Sequence, residues 1–440
     1  MHLLLSRLSR HRHIVGIGAL SVLILSTAYP SYAFAETFSN KLHMIRGGGE
    51  RNMNNHNAND PFSRSIRKVV IAGGTHGNEY TGVWVIKAIE RQRQLHNEQK
   101  QFQGVNIFEQ MPSLSISTIL ANEQAYLQNR RFVDVDLNRE FSHDKLCVDH
   151  EGPLSLESKR ARELSRILGP KFNDDGSCNE DPATDVCVDL HTTTANMGIS
   201  LIVPEGDALM AAAATYVMHK CQERYGPDKV QCVIHAMPNN ANRMNLSSCG
   251  RHGFTIEVGP TPQGVIRHDI VEKTELALHA LLEFLHTRNC EAKARSDTVS
   301  TVLDRLRLLY PDGAVPCFRS APAMRPGELS GKITWPTDPE NPNFPAVMVH
   351  RSLQDKDFEL IRVGDPLFVS LDGTVIPYDG SHGDEVYLIF INEGGYYYAS
   401  SGTGIGVSLA AKFDWQTGLF VEDDDAVADK RHSIGACSGR

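Results

Sequence analysis

Two kinds of apolar run alternate along the first two-thirds of the chain. Short unbroken blocks, Val69–Ala72, Val186–Leu190 and Ile199–Val203, predict buried strands, because consecutive apolar residues suit a sheet covered on both faces. Val105–Phe108 is read as a further short strand. Longer stretches repeat apolar positions every three or four residues and predict helices. They begin near Tyr80 (Val83, Val85, Ile86, Ile89) and recur over Leu154–Leu168, Ala208–Tyr225 and Glu272–His286. Phe254, Ile256 and Val258 alternate with Thr255, Glu257 and Gly259, a strand with an acid among its core positions. The order of elements from residue 67 to about 295 predicts an α/β domain. From 296 to about 420, Pro, Gly and Asp punctuate short β-like runs (Ala346–Val349, Leu367–Leu371, Val386–Ile391), which predicts a smaller, mainly β domain.

The remaining segments lack such periodicity. Residues 1–35 carry Arg7, Arg10 and Arg12, an apolar Ile14–Thr27 and Ala33-Phe34-Ala35, the pattern of a cleaved signal peptide. The apolar run of about fourteen residues is short for a bilayer span, so no stable membrane span is expected after processing. Export to the periplasm or the medium is the first expectation, and import into an organelle the alternative. Residues 36–66, rich in Asn, Gly, Ser and His, predict a flexible linker, with His43 and His56 solvated rather than metal-bound. Residues 421–440 open on Glu422-Asp423-Asp424-Asp425 and predict a disordered tail.

At 440 residues, 41% hydrophobic and 22% charged, the chain can build one sizeable core and a second smaller one. A formal charge of −9 without a basic stripe argues against a nucleic-acid partner. Nine scattered Cys, with no Cys-x-x-Cys pair, do not demand a disulfide framework.

Candidate chemistry starts where the first strand ends. Gly73 and Gly74 let the backbone turn, and His76 and Glu79 follow at the carboxyl end of the strand, where open α/β sheets keep their ligand sites. His-x-x-Glu can turn an imidazole and a carboxylate toward one point, two-thirds of a His2Glu zinc site, although most such pairs are merely polar surface. His191 ends a buried strand and is taken as the third ligand. Asp189, two residues earlier, shares its side of an extended chain and can orient the ring. Glu257 in its strand is either half of a buried salt bridge, with Arg251 or Arg267, or a carboxylate used for proton transfer. Arg130, Arg131, Asn138 and Arg139 bracket an alternating segment and either grip a carboxylate or pair on the surface with Asp134 or Asp136. Tyr396, Tyr397 and Tyr398 cover a site or pack a hairpin.

Together, GGTHGNEYTG, DVDLNREF, DLHTTTANMG, IEVGPTPQG and INEGGYY, in that order, resemble the aspartoacylase family, in particular the branch that contains aspartoacylase and aminoacylase-3. The resemblance spans about Arg67 to Tyr398. It implies a zinc-carboxypeptidase-like mixed sheet flanked by helices, followed by a β domain that narrows the entrance. It implies hydrolysis of the amide bond of small N-acyl amino acids, with one zinc ion per subunit held by His76, Glu79 and His191. Glu257 would be the general base, Arg131 would polarise the amide carbonyl, Asn138 and Arg139 would hold the substrate carboxylate, and Tyr396 would close over it. Homo-oligomers are also implied.

Two departures bear on substrate. Aspartoacylase has an arginine ten residues before the base, where this chain has Ser247. Its lysines after the tyrosine pair are replaced by Tyr398-Ala399-Ser400-Ser401. With less positive charge, neutral or aromatic N-acyl amino acids, including S-conjugated cysteines, are expected over N-acetylaspartate, unless Arg243 or Arg251 substitutes. The alternatives are an aspartoacylase proper, a metallocarboxypeptidase with the same zinc geometry, and a metal-binding carrier. The carrier would need neither Glu257 nor Arg131.

Overall fold

The computed structural model describes residues 62–100, 106–148, 152–235, 243–294, 301–341, 344–398 and 403–421. The signal segment, nearly all of the linker with His43 and His56, and the tail beyond 421 lie outside the described residues.

Among the described residues, and leaving 3₁₀ turns aside, thirteen elements run from the amino-terminal strand to the long helix that follows the Glu257 strand. They are β1 (Lys68–Gly73), α1 (Tyr80–Asn97), α2 (Ile107–Gln110), β2 (Ser115–Leu120), α3 (Glu123–Leu127), α4 (His143–Cys147), α5 (Leu156–Leu168), β3 (Val186–Thr192), β4 (Ile199–Pro204), α6 (Ala208–Tyr225), β5 (Val230–His235) and β6 (His252–Val258), and α7 (His268–Ala294) closes the series. Then come α8 (Val302–Leu309), β7 (Ala314–Ser320), β8 (Lys332–Ile333), β9 (Val347–Val349), β10 (Leu360–Arg362), β11 (Pro366–Ser370), β12 (Val375–Pro377), β13 (Glu385–Ile389) and β14 (Ile405–Asp414).

The large sheet has the order β10-β13-β14-β7-β5-β4-β6-β3-β1-β2, with β8 beside β14. β2, β1, β3 and β6 are parallel neighbours, and β4 runs against β6. β5 and β7 then follow β4 in parallel, while β14 and β13 are antiparallel. The sheet is mixed, as expected. β12, β11 and β9 form a separate antiparallel sheet.

Unbroken apolar strands are covered on both faces. All residues of β3 and β4 are buried. Val69, Ile71, Val188, Leu190 and Ile256 pack with Ile86 of α1, Met210 of α6 and Leu281 of α7. The alternate positions Ala72 and Cys187 join Leu164 and Leu168 of α5 on the other face. Burying each large aliphatic side chain this way contributes roughly 1.5–3 kcal/mol before entropy is charged against it. The β domain has its own core around Trp335, Tyr378, Leu388 and Val407. No helix among the described residues is long and apolar enough to cross a membrane.

One expected strand is corrected. Ile107 and Phe108 belong to a single helical turn, α2, because the Asn106 side chain accepts a hydrogen bond from the Phe108 amide at 3.1 Å and caps it. The strand beside β1 is instead Ser115–Leu120, an edge strand whose mixed polar and apolar pattern hid it. β5 was also not anticipated.

Candidate metal centre and active site

β1 ends at Gly73, which lies so close to α1 that a Cβ there would sit 2.4 Å from the Gly82 carbonyl oxygen. Gly74, at φ +69°, then turns the chain, and His76 and Glu79 leave the loop before α1. β3 runs beside β1 with Leu190 opposite Gly73, so His191 emerges at the same end of the sheet. His76, Glu79 and His191 are all buried and offer one ligand atom each, within 4.8 Å of one another.

The hydrogen bonds assign the nitrogens. Both Nδ1 atoms face Glu79, from His76 to Oε1 at 2.6 Å and from His191 to Oε2 at 3.0 Å. Both Nε2 atoms meet a buried aspartate, Asp136 at 3.1 Å and Asp189 at 2.7 Å. Asp189 is in turn held by the Thr75 hydroxyl, 2.7 Å away. Carboxylates behind two imidazoles hold the protons on Nε2 and leave the Nδ1 lone pairs for a cation. Two imidazoles and one carboxylate converging in this way suit a divalent metal with an open position.

Burial alone would raise the pKa of Glu79 and of Asp136. His76 and His191 overrule it at Glu79, and His76 and Arg131 overrule it at Asp136, so both acids are held below their usual range. Burial pulls the other way on His191, yet Asp189 and Glu79 push its pKa well above the ordinary imidazole value.

Glu257 is the register partner of His191 on β6 and of Ser200 on β4. Burial pushes its pKa well up, and Glu79 and Glu393 add to this against the pull of His191 and Arg131. The suggested salt bridges do not form. Arg251 pairs with Asp181 and with Asp185, the latter at 2.7 Å, and Arg267 pairs with Asp269 at 2.9 Å.

Arg131 lies buried beside the three ligands. Its Nη1 is 3.2 Å from Glu79 and 3.7 Å from Glu393, and its Nη2 is 3.4 Å from Asp136. Its buried Nε has no partner among the described residues. The segment that follows is not a strand. The buried Glu157 carboxylate straps it by accepting from the backbone amides of Val133, Asp134 and Val135. A 3₁₀ turn, Leu137–Arg139, then presents Asn138 and Arg139. Asn138 Oδ1 accepts from the Leu246 amide at 2.9 Å. The Arg139 guanidinium donates to the Asn138 carbonyl at 3.0 Å and makes no ion pair among the described residues. Asp134 instead accepts from the Leu156 amide.

Tyr396 comes from the other domain, in the 3₁₀ turn Gly394–Tyr397. Burial drives its hydroxyl pKa up to about 12, and Arg139, Glu393, Glu257 and Arg131 are the charges that act on it. The turn is tied to the loop after β3. Glu393 accepts from the Thr193 hydroxyl and from the Thr194 amide at 2.9 Å, and Thr194 Oγ1 donates to the Asn392 carbonyl. Asp357 bridges the same two loops by accepting from the Asn196 and Ile391 amides, each at 2.9 Å. The structural roles of Glu157, Asp357 and Glu393 were missed in the sequence, because their partners lie in distant segments. Asp136 does pair with an arginine, as the sequence allowed, but buried with Arg131 and His76 rather than on the surface.

Of the two possible substitute cations, Arg251 is tied to Asp181 and Asp185 by the amino-terminal end of β6, whereas the Arg243 guanidinium lies against Ser247 itself, 3.4 Å from its hydroxyl.

Residues 65–285 match the family model described as the succinylglutamate desuccinylase/aspartoacylase catalytic domain, and residues 328–409 match the AstE/AspA barrel-sandwich hybrid domain. The chain belongs to the succinylglutamate desuccinylase/aspartoacylase family. Within the family it is 34% identical to the N-acyl-aromatic-L-amino acid amidohydrolase (carboxylate-forming) A of Danio rerio, over 80% of this chain and 91% of that one. It is 31% identical to a probable aspartoacylase of Nostoc sp., over 76% and 93% of the two chains. Among solved structures of the family, murine aminoacylase 3 superposes with a TM-score of 0.60 at 26% identity, covering 82% of this chain and 99% of that one. The mixed-sheet body with its trailing β domain is thus the fold this chain shares with aminoacylase 3.

Proposed function

We propose that the protein is a zinc-dependent deacylase that hydrolyses the amide bond of N-acyl amino acids. One observation carries the reading: His76, Glu79 and His191 converge next to Glu257, an acid that makes no ion pair among the described residues and holds its proton more firmly than a free carboxylate. His76, Glu79 and His191 would hold the zinc, which when bound supplies Lewis acidity and a nucleophile at neutral pH.

The protein's own groups account for the rest. Glu257 takes a proton from the attacking water and returns it to the leaving amine, a shuttle that its raised pKa suits. Arg131, held by three carboxylates, keeps its Nε free to donate to the oxygen that becomes negative in the tetrahedral state. Asn138 and Arg139 receive the substrate carboxylate, and Tyr396 closes the site from the β domain.

For the amino acid, the reading favours neutral or aromatic side chains. Ser247 stands where a second carboxylate would find an arginine, and Phe132, Tyr398, Tyr396 and Phe390 form aromatic pairs around the Arg131–Arg139 segment and the Tyr396 turn. The names of the amidohydrolase relatives support it. Turnover of N-acetyltyrosine against N-acetylaspartate is the test, with zinc-replete protein lacking residues 1–35. A clear preference for acetylaspartate overturns the side-chain reading, and release of amino acids from dipeptides alone overturns the deacylase. We further propose an exported homo-oligomer with its leader removed. Mass spectrometry of the secreted chain and light scattering check these two points.

A further inference from the structure

Glu157 is fully buried and makes no ion pair among the described residues, a costly place for a carboxylate unless hydrogen bonds answer it. Four N–H donors do so. Oε1 accepts from the Val133 amide at 2.6 Å and from the Asn122 side chain at 3.2 Å. Oε2 accepts from the Asp134 and Val135 amides at 3.0 and 3.2 Å. Glu157 stands in the first turn of α5, where the positive end of the helix also favours a negative charge. The stitching runs both ways. The Asp134 carboxylate accepts from the Leu156 amide at 2.8 Å, and the Ser158 hydroxyl donates to Glu140 at 2.7 Å.

Three residues of the site ride on the segment held in this way. Arg131 lies two positions before the strapped amides, Asp136 follows Val135 directly, and Asn138 comes two positions later. Asp136 reaches His76 Nε2 at 3.1 Å, Arg131 Nη2 at 3.4 Å and the Asn138 amide at 2.9 Å. From Arg131 to Asp136 the chain is neither strand nor helix, so no ladder answers its amides or fixes its course. The carboxylate of Glu157 does both. A neutral amide of the same shape would keep one acceptor oxygen and turn an NH2 group toward N–H donors.

We propose that Glu157 is a positioning residue: by fixing Val133–Val135 it aims Arg131 at the reacting carbonyl and Asp136 at His76. The part that concerns Arg131 rests on the deacylase reading. The part that concerns His76 is a matter of metal affinity and needs no turnover.

The zinc-loaded enzyme and its variants decide. Glu157→Gln should lower kcat for N-acetyltyrosine by about 10–100-fold, up to what the loss of one oxyanion donor costs. It should also weaken zinc by about tenfold in a chelator competition, as the loss of support behind a histidine ligand does. Asp134→Ala removes an exposed partner of the same stitch and should give smaller losses in both readouts, so it carries the test if Glu157→Gln does not fold. A residue that acts through Arg131 has little left to do once Arg131 is gone. In an Arg131→Met background Glu157→Gln should therefore lower kcat by no more than about twofold. Weakened zinc in proteins that hydrolyse no N-acyl amino acid would sink the deacylase reading and keep the role of Glu157 behind His76. A lowered Tm with unchanged kcat and zinc affinity would reduce Glu157 to a support of the fold and overturn the proposal. Losses in kcat that multiply in the double variant would overturn it as well.

Discussion

His191 and Glu257 are register partners on the neighbouring parallel strands β3 and β6, so their side chains leave the same face of the sheet. The sheet itself sets the spacing between a metal-facing imidazole and the proposed base, and no loop has to find it. Replacing Glu257 by Gln keeps the shape and removes the proton shuttle. The expected result is a fall in kcat of about 10²–10⁴-fold, with KM and metal content close to wild type. Steady-state kinetics on metal-quantified protein check this, and wild-type turnover in Glu257→Gln would remove Glu257 from the mechanism.

The aspartates behind the imidazoles should tune metal affinity. Asp189→Asn leaves His191 its Nδ1 but weakens what holds the ring, and about a 10–100-fold loss of affinity is expected in a chelator competition. Acid should act in the same direction. Asp189 and Glu79 hold a proton on His191 well above the ordinary imidazole range, and a metal must displace it, so binding releases protons and affinity falls as pH falls. Metal affinity independent of pH would contradict this.

Gly395 leaves room for the Arg131 guanidinium. A Cβ at this position would lie 2.5 Å from Arg131 Cζ, and the guanidinium cannot retreat without leaving Glu79 and Glu393. Gly395→Ala should therefore cost about a hundredfold or more in kcat, as the loss of one oxyanion donor does, with the metal retained. Kinetics with near wild-type rates would mean that Arg131 is not the donor.

His279 on α7 should make the fold acid-sensitive. Burial lowers its pKa from 6.5 to about 4, so between those values the unfolded chain carries a proton that the native one lacks. Its contribution is then fully present above pH 6.5 and is lost as pH falls toward 4, on the order of 2–3 kcal/mol in all. Urea unfolding across this window should show the decline, and His279→Leu should flatten it.

Much of the site was legible because its spacing is local. His76 and Glu79 share one turn, and Asp189 and His191 share one side of a strand, so period and offset alone aim them together. The order of buried strands and amphipathic helices likewise foretold the mixed sheet with its β annex. Edge strand β2 escaped because half its positions face solvent and leave no apolar run, and Asn106 made a helical turn of residues that read as a strand.

The sequence by itself marked the candidate ligands and acid through residue chemistry and short-range geometry, and the roles of base and carboxylate grip came as expectations from the order of motifs that resembles the family's. Only the tertiary structure decided which acid stands behind His76, which carboxylates hold Arg131, and that a lysine of β8 lies over Tyr396. Those pairings span from five to more than two hundred and fifty residues. They are set by strand register and the docking of loops, which no periodicity in the chain records.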